Sequence, residues 1–312
     1  MTEVVSVVVP VYRDWQRASS LIASLQSQAL PSETRLEIII VDDGSDDGKS
    51  SVIDTTSNTT LLTLLKNAGR AAARNEGFTK ASGRIVVFMD CDCLPGSTRS
   101  LWGHIDAMTQ GVVASTGHVF GIGHGFWDRY QQRASCRRAS AHAAGQVWMG
   151  SSQNMAVLAD AFRDVGGFDT RYRQYGFEDR DLLLRLARVG DIAWSKEAPA
   201  IHTDKLCLEG VARKMVEAAR HSAPLFAKDH PDAYHALGYG NLDTEAHHWL
   251  RIPARTLGPL ALPFARRIDP HLQRLPFTLS AFFVASASAL AFMYGSATRS
   301  VSQDSSNDRS RR

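Results

Sequence analysis

Short β-branched runs alternate with stretches of helical periodicity through the first third of the chain, and this alternation constrains the fold more than any other feature. Residues Val4 to Val9, Leu36 to Val41, Leu61 to Leu65 and Ile85 to Met89 read as strands. Between them Leu21, Ile22 and Leu25 share one helical face, and a helix is expected from about Arg70 to Ala81. The pattern calls for an α/β fold: a mixed, mostly parallel sheet with helices on both faces, since parallel neighbours need crossover connections. Ligands of such sheets bind beyond the carboxyl ends of the strands, so the polar residues following each strand are where chemistry is expected. With 312 residues, 44% of them apolar, the chain has ample mass for that core.

From Ser97 to about Ala219 the pattern is less regular. A helix is expected near Leu101 to Met108, a strand near Val112 to Val119, and amphipathic stretches at Ala159 to Val165 and Asp179 to Ala187. Beyond residue 225, a basic stretch punctuated by Pro253, Pro259, Pro263 and Pro270 reads as a connector, 226–274. Residues 275–298 carry no charge and are long enough to cross the ~30 Å hydrocarbon layer as a helix, although Thr278, Ser280, Ser286 and Ser288 also suit a buried or interfacial one. The tail 299–312 is polar and expected to be disordered. A net charge of +3 gives no reason to expect nucleic acid as a partner. Cys91, Cys93, Cys136 and Cys207 form no C-x-x-C pair, which fits a reducing compartment and argues against structural zinc. Glu3 and Pro10 make the amino-terminal apolar run a strand, not a signal peptide.

Three acidic constellations carry the chemistry. The second strand ends in Asp42-Asp43-Gly44-Ser45; a carboxylate there suits a base N–H or a ribose hydroxyl and would repel a phosphate, while a solvated, helix-capping loop reads the same way. The fourth strand leads into Asp90-Cys91-Asp92, where two carboxylates one residue apart suit a hard cation, and burying them after an apolar strand needs compensation. Gly166-Gly167-Phe168-Asp169 precedes Gly176-Phe177-Glu178-Asp179-Arg180-Asp181, with Glu178 and Asp179 in the first turn of a helix, where its dipole favours negative charge; a general base and a simple helix cap are both consistent. His202, after Pro199-Ala200-Ile201, is either a hydrogen-bonded structural residue or an imidazole completing an oxygen-rich Mn²⁺ site. Lys66-Asn67-Ala68-Gly69-Arg70 opens the expected second helix, and its start together with Arg74 is placed to face a diphosphate. Gly121 to Gly125 reads as a mobile loop. Neither G-x-G-x-x-G nor a P-loop motif is present, which removes support for dinucleotide oxidoreductases and P-loop NTPases.

Taken in order, Val5 to Tyr12 with Asp42-Asp43-Gly44-Ser45, Asn67-x-Gly69 with Ala73-Arg74-Asn75, Asp90-x-Asp92 and Glu178-Asp179 resemble the family 2 inverting glycosyltransferases of the GT-A fold, over about Val4 to Lys205. Gly167-Phe168-Asp169 to Asp181 also resembles the carboxyl-terminal motif of family 7 galactosyltransferases. The resemblance implies a GT-A catalytic domain at 1–225, with a nucleotide-binding half (1–95) and an acceptor half (96–225). It implies Pro10, Tyr12, Asp43, Asn67, Arg74, Asp90 and Cys91 around the donor, a UDP-sugar above all, and Asp92 with His202 on Mn²⁺ or Mg²⁺. Asp179 is then the base, and Glu178, Trp148 and Gly150 lie toward a hydroxyl acceptor. The arginines beside the apolar stretch favour anionic headgroups on the cytosolic side, which suggests a lipid-linked acceptor at the cytoplasmic face of the membrane. Cys93 departs from the family pattern, where many relatives have another aspartate. The absence of a Gln-x-x-Arg-Trp segment points to transfer of a single sugar. A sugar-phosphate nucleotidyltransferase would need a phosphate loop where Val11-Tyr12-Arg13-Asp14-Trp15 stands, and an inactive binding protein of the same fold would not need to keep these four aspartates.

Overall fold

The computed structural model describes residues 3–55 and 58–299, so nearly all of the expected tail lies outside the described residues. The chain divides into two compact units, 1–173 with 177–206, and 174–176 with 207–312.

The first unit is built on one eight-stranded sheet: β1 (Glu3–Val11), β2 (Thr34–Asp42), β3 (Thr59–Thr63), β4 (Ile85–Met89), β5 (Cys93–Pro95), β6 (Val112–Gly121), β7 (Asn154–Leu158) and β8 (Asp191–His202), in the order β3-β2-β1-β4-β7-β6-β8-β5. The pairs β1–β2, β1–β4, β2–β3 and β6–β8 are parallel, while β7 runs antiparallel to β4 and β6, and β5 runs antiparallel to β8. Around the sheet lie α1 (Trp15–Gln26), α2 (Arg70–Lys80), α3 (Ser100–Ala107), α4 (Phe126–Ala143), α5 (Ala159–Asp164) and α6 (Glu178–Leu186). The run Val5 to Val9 is buried on every residue because both faces of β1 are covered, as a central parallel strand requires. Helix α1 adds Trp15, Ala18, Leu21, Ile22 and Leu25 to the core. Helix α2 lies close on the sheet because Gly77 has no side chain: a Cβ there would collide with Val8 and sit 2.8 Å from Val41.

Two elements exceed what the sequence pattern led us to expect. Strand β7 (Asn-Met-Ala-Val-Leu) is short of β-branched residues, yet it fills the centre of the sheet. Helix α4 buries only Phe126 and Ser135, so it carries almost no apolar period, and its start is held by Gly125 N donating to Asp128 Oδ2 (2.9 Å).

A buried polar network ties α3 to the sheet. His104 accepts or donates at both ring nitrogens, to Ser115 Oγ (3.1 Å) and Asn154 Oδ1 (2.9 Å), while Asn154 Nδ2 donates to the carbonyls of His118 and Ala198. Because the Asn154 amide nitrogen is committed to carbonyls, its oxygen faces His104, which places the imidazole proton on Nε2.

The second unit is helical: α7 (Leu208–Glu217) runs through a π-turn at Ala218–Ser222 into α8 (Ala223–Asp229), followed by α9 (Pro231–Ala236), α10 (Arg251–Leu257), α11 (Ala261–Ile268) and α12 (Phe277–Ala297). Residues 226–274, read above as a connector, are thus largely helical. Their prolines sit in first turns, Pro231 in α9, Pro253 in α10 and Pro263 in α11, where a missing N–H costs nothing.

Burial lowers the His104 pKa to about 4. The unfolded chain binds this proton below about pH 6.5, and the folded chain does not until about 4, so stability is lost as pH falls through that window, by on the order of 3 kcal/mol. Denaturant titrations at stepped pH are expected to show this loss, and His104→Gln, which keeps both hydrogen bonds without a titrating group, is expected to flatten it. Parallel pH curves for the two proteins would contradict the assignment.

Candidate active site

The ends of β1 and β2 are built as one piece. Val11 and Asp42 are paired in register, and Asp43 N donates to Val11 O (2.8 Å). Asp42 Oδ1 accepts from Ser45 N (2.9 Å), Ser45 Oγ accepts from Arg13 N (2.9 Å), and the Trp15 indole donates to Asp47 Oδ1 (2.9 Å). Gly44 has φ +68°, and any Cβ there would strike the backbone of Lys66 and Asn67, so this turn can only be made by glycine. Asp43 is buried, with Oδ1 accepting from Ala68 N (2.7 Å) and Oδ2 from Gly69 N (3.0 Å). It therefore holds the loop that starts α2. Burial raises its pKa, two backbone N–H groups oppose that, and Asp42 adds to the rise. Beside it Tyr12 and Asn67 are exposed and Pro10 half-buried, with the Arg13 guanidinium 5.1 Å from the Tyr12 ring centre.

Helix α2 carries Arg74 into the interior, where the side chain is 1% exposed. Its Nη2 donates to Asp90 Oδ1 (2.6 Å), its Nη1 lies 3.9 Å from Glu178 Oε1, and the guanidinium stands 5.2 Å over the Phe168 ring. Arg74 was expected to face a diphosphate; instead it is a buried cation joining the first aspartate of the D-x-D to the acidic start of α6. Glu178 is buried as well, with Arg70 Nε at 3.7 Å. Burial first, and then Asp179, raise the Glu178 pKa, while Arg70 and Arg74 pull it down.

The second aspartate of the D-x-D is placed by the sheet edge. Cys93 on β5 pairs with His202 on β8, and Asp92 O accepts from Thr203 N (2.8 Å) and Thr203 Oγ1 (3.0 Å). Asp92 Oδ2 and His202 Nε2 are then 3.3 Å apart, and His202 Nδ1 is buried without a hydrogen-bond partner. A carboxylate and an imidazole this close are joined either by an Nε2–H donated to Oδ2 or by a cation between them. Among the described residues no group of three or more His, Cys, Asp and Glu side chains is placed to hold a metal. One carboxylate and one imidazole fit Mn²⁺ or Mg²⁺ only as a partial set, the remaining positions being open to substrate oxygens. Burial, then Asp92 and Asp90, raise the thiol pKa of both Cys91 and Cys93, which favours the neutral thiol in each.

Asp179 stands in the first turn of α6, entered through Phe177 at φ 72°, a strained conformation for a bulky residue. Ser151 Oγ donates to Asp179 Oδ2 (3.0 Å) and Ser152 Oγ donates to Oδ1. These serines are absent from the sequence-based set, although they directly follow the Trp148 to Gly150 segment included there. In the structure Trp148 is buried, and Gly150 lies where a Cβ would strike Thr116 and come within 2.9 Å of Leu183, so this segment's tight packing delivers the two hydroxyls. The neighbouring acids have structural partners: Asp169 with Arg171 and Asp181 with Arg185, each at 2.6 Å.

Breaking a buried ion pair from one side strands the other charge, typically at about 3–5 kcal/mol. Arg74→Met is therefore expected to lower unfolding free energy by that order in urea titrations, and Arg74→Met with Glu178→Gln to recover a large part of it. A single variant within about 1 kcal/mol of the unsubstituted protein would show that the triad is not held by charge.

The profile described as "Glycosyl transferase family 2" matches residues 6–166. The chain is 27% identical over 201 residues to glycosyltransferase AglE of Haloferax volcanii, covering 62% of this chain and 60% of that protein. It is 31% identical over 93 residues to the undecaprenyl-phosphate 4-deoxy-4-formamido-L-arabinose transferase of Proteus mirabilis, covering 28% of each. The matched region thus spans less than two thirds of each of these relatives. In structure, the chain is similar to the mannosyltransferase PcManGT from Pyrobaculum calidifontis in complex with GDP-Man and Mn²⁺, with a TM-score of 0.61 and 20% identity over 93% of this chain and 86% of that one. That likeness shows the fold: the mixed, mostly parallel α/β sheet of the GT-A type.

Proposed function

The chain belongs to glycosyl transferase family 2, and from that premise we propose that it moves one sugar from a nucleotide-diphospho-sugar to a hydroxyl acceptor with inversion at the anomeric carbon. The observation that carries the reading is the carboxylate of Asp179, oriented by Ser151 and Ser152 at the start of α6 and directly following the buried Glu178. A base must be fixed in direction to take a proton from an incoming hydroxyl, and two side-chain donors on its two oxygens do this.

The roles follow the strand ends. Tyr12 offers an exposed aromatic face and Pro10 an apolar edge to the nucleobase, with Asp43 and Asn67 behind them; Asp90 lies toward the ribose, with Cys91 beside it. Asp92 and His202 would hold Mn²⁺ or Mg²⁺, which when bound neutralises charge on the departing diphosphate. The acceptor oxygen attacks the anomeric carbon as Asp179 takes its proton, and the nucleoside diphosphate leaves from the opposite face. An α-linked donor then yields a β-linked product. Glu178, Trp148 and Gly150 act in this reading by shaping the acceptor side from behind, since all three are buried. The sequence suggested a UDP-sugar, and the structural relative holds GDP-Man; the diphosphate and the sugar are what the two have in common. The Proteus mirabilis relative is described as acting on undecaprenyl phosphate, which supports a lipid-linked acceptor and a place at the cytoplasmic face of a membrane.

Asp179→Asn keeps shape and removes the base, so kcat is expected to fall by roughly 10²- to 10⁴-fold while donor affinity by calorimetry changes little. Near-normal turnover would remove Asp179 from the role. Asp43→Asn cannot accept from both Ala68 N and Gly69 N, so it is expected to weaken nucleotide binding more than kcat at saturating donor. Excess chelator and Asp92→Ala are each expected to abolish transfer, and full turnover without divalent cation would refute the metal assignment.

A further inference from the structure

One face of the second unit is packed inside out for a protein in water. Residues 251–268 form a nearly continuous helical stretch whose inward positions, Ala254, Gly258, Ala261 and Ala265, are small, and Gly258 lies flush against Tyr294 of α12. The large apolar residues point outward: Ile252 is 77% exposed, and Leu257, Leu260 and Phe264 are exposed too. Along most of its length helix α12 repeats this arrangement, with Ser280, Val284, Ala287, Ala291 and Gly295 turned inward beside one large residue, Phe292, and with Phe282 63% exposed. Phe264 meets Phe283 at 6.1 Å between ring centres and Phe283 meets Phe282 at 6.0 Å, which makes the outward residues of α11 and α12 one surface. Water-driven packing puts large apolar residues inward; small-in and large-out is the arrangement of helices whose outer solvent is lipid. Trp249, 75% exposed at the start of this stretch, is of the type enriched where hydrocarbon meets headgroup. Between Arg251 and Arg274 there are five arginines and one acid, Asp269; Arg251 pairs with Glu245 and Arg266 with Glu209, while Arg267 and Arg274 are exposed and make no ion pair among the described residues, so the charge complements an anionic surface.

Helix α12, although long and apolar enough to cross a bilayer, is committed elsewhere. Its Gly295 packs on Val216 and Ala219, and beyond its end Arg299 pairs with buried Asp243 (2.8 Å), which also accepts from Tyr234. Arg255 Nε donates to Ala297 O and Arg220 Nε to Thr298 Oγ1, each at 3.0 Å. Its principal neighbour α7 exposes Arg213 and Lys214. Spanning would carry these charges into hydrocarbon, which is costly.

We propose that the face formed by Trp249, Ile252, Leu257, Leu260, Phe264 and Phe282 docks on one leaflet of an anionic bilayer, with α12 as its packed backing and not as a transmembrane helix. This deepens the reading of a membrane-located acceptor and rests on it only for the choice of a bilayer as partner. The full chain is expected to float with vesicles of phosphatidylcholine and phosphatidylglycerol. Leu260→Glu with Phe264→Glu is expected to cut partitioning by at least about tenfold, and Arg267→Gln with Arg274→Gln to erase the preference over phosphatidylcholine alone. These positions are exposed, so circular dichroism melting is expected to stay unchanged. In inside-out membrane vesicles from expressing cells, carboxypeptidase is expected to trim the carboxyl terminus without detergent. Undiminished flotation of the glutamate variant, no preference for anionic lipid, or a terminus protected until detergent is added would each overturn the proposal. Donor hydrolysis separates the two readings: its absence from the unsubstituted chain counts against the transferase and leaves the flotation result standing.

Discussion

The first unit depends on one buried cation. Arg74 is fully enclosed, and a guanidinium removed from water is tolerable only with anionic partners, which here are Asp90 at the end of β4 and Glu178 at the start of α6. Three segments far apart in sequence are thereby obliged to meet. Helix α2 transmits the constraint further, because its amino-terminal loop is fastened by Asp43 and its Gly77 seats it on β1 and β2. Asp43 and Glu178 are thus both tied to the opening of one helix, Asp43 through Ala68 and Gly69 and Glu178 beside Arg70 and Arg74.

Such a design keeps the groups proposed to do chemistry at the margin of the groups that hold the structure. Asp42 and Asp43 are both consumed by structure, one closing its own turn and the other holding the start of α2, while in the other two acidic pairs one member is consumed: Asp90 pairs with Arg74, and Glu178 is buried with Arg70 and Arg74 nearby. Asp92 and Asp179 are left facing polar partners, a histidine for one and two hydroxyls for the other. The thiol at residue 93, where many relatives of the resembled family carry a carboxylate, fits this division. It is buried in the strand pair that positions His202, where a further negative charge would be expensive.

The strands that end in acidic turns were legible in sequence because continuous β-branched burial leaves a direct trace, and their polar ends stand out against it. Strand β7 left none, since Asn154, Met155 and Ala156 carry no strand preference and its place in the sheet comes from pairing with β4 and β6. The direction of Arg74 was not legible either: the same residue at the same helical position faces solvent or core depending on what α6 brings to it. Ser151 and Ser152 became meaningful only beside Asp179, 28 and 27 residues later. In the second unit the prolines, read as breakers, mark helix starts, a distinction that depends on which N–H groups lack partners.

The spacing of Asp92 and His202 is set by main chain, not by side chains. Cys93 and His202 are partners in the β5–β8 ladder, so the carboxylate preceding one and the imidazole of the other are held at a distance dictated by strand pairing. Side chains alternate faces along a strand, and a shift of one residue in β8 would turn His202 away from Asp92. The irregularities in the β6–β8 pairing lie upstream, between Val112 and Ala114 and between Gly117 and Val119, while Phe120–Ile201 and Gly121–His202 remain in step. Length mismatch between the two strands is absorbed before it reaches the histidine, so the sheet behaves as a vernier whose last marks always coincide.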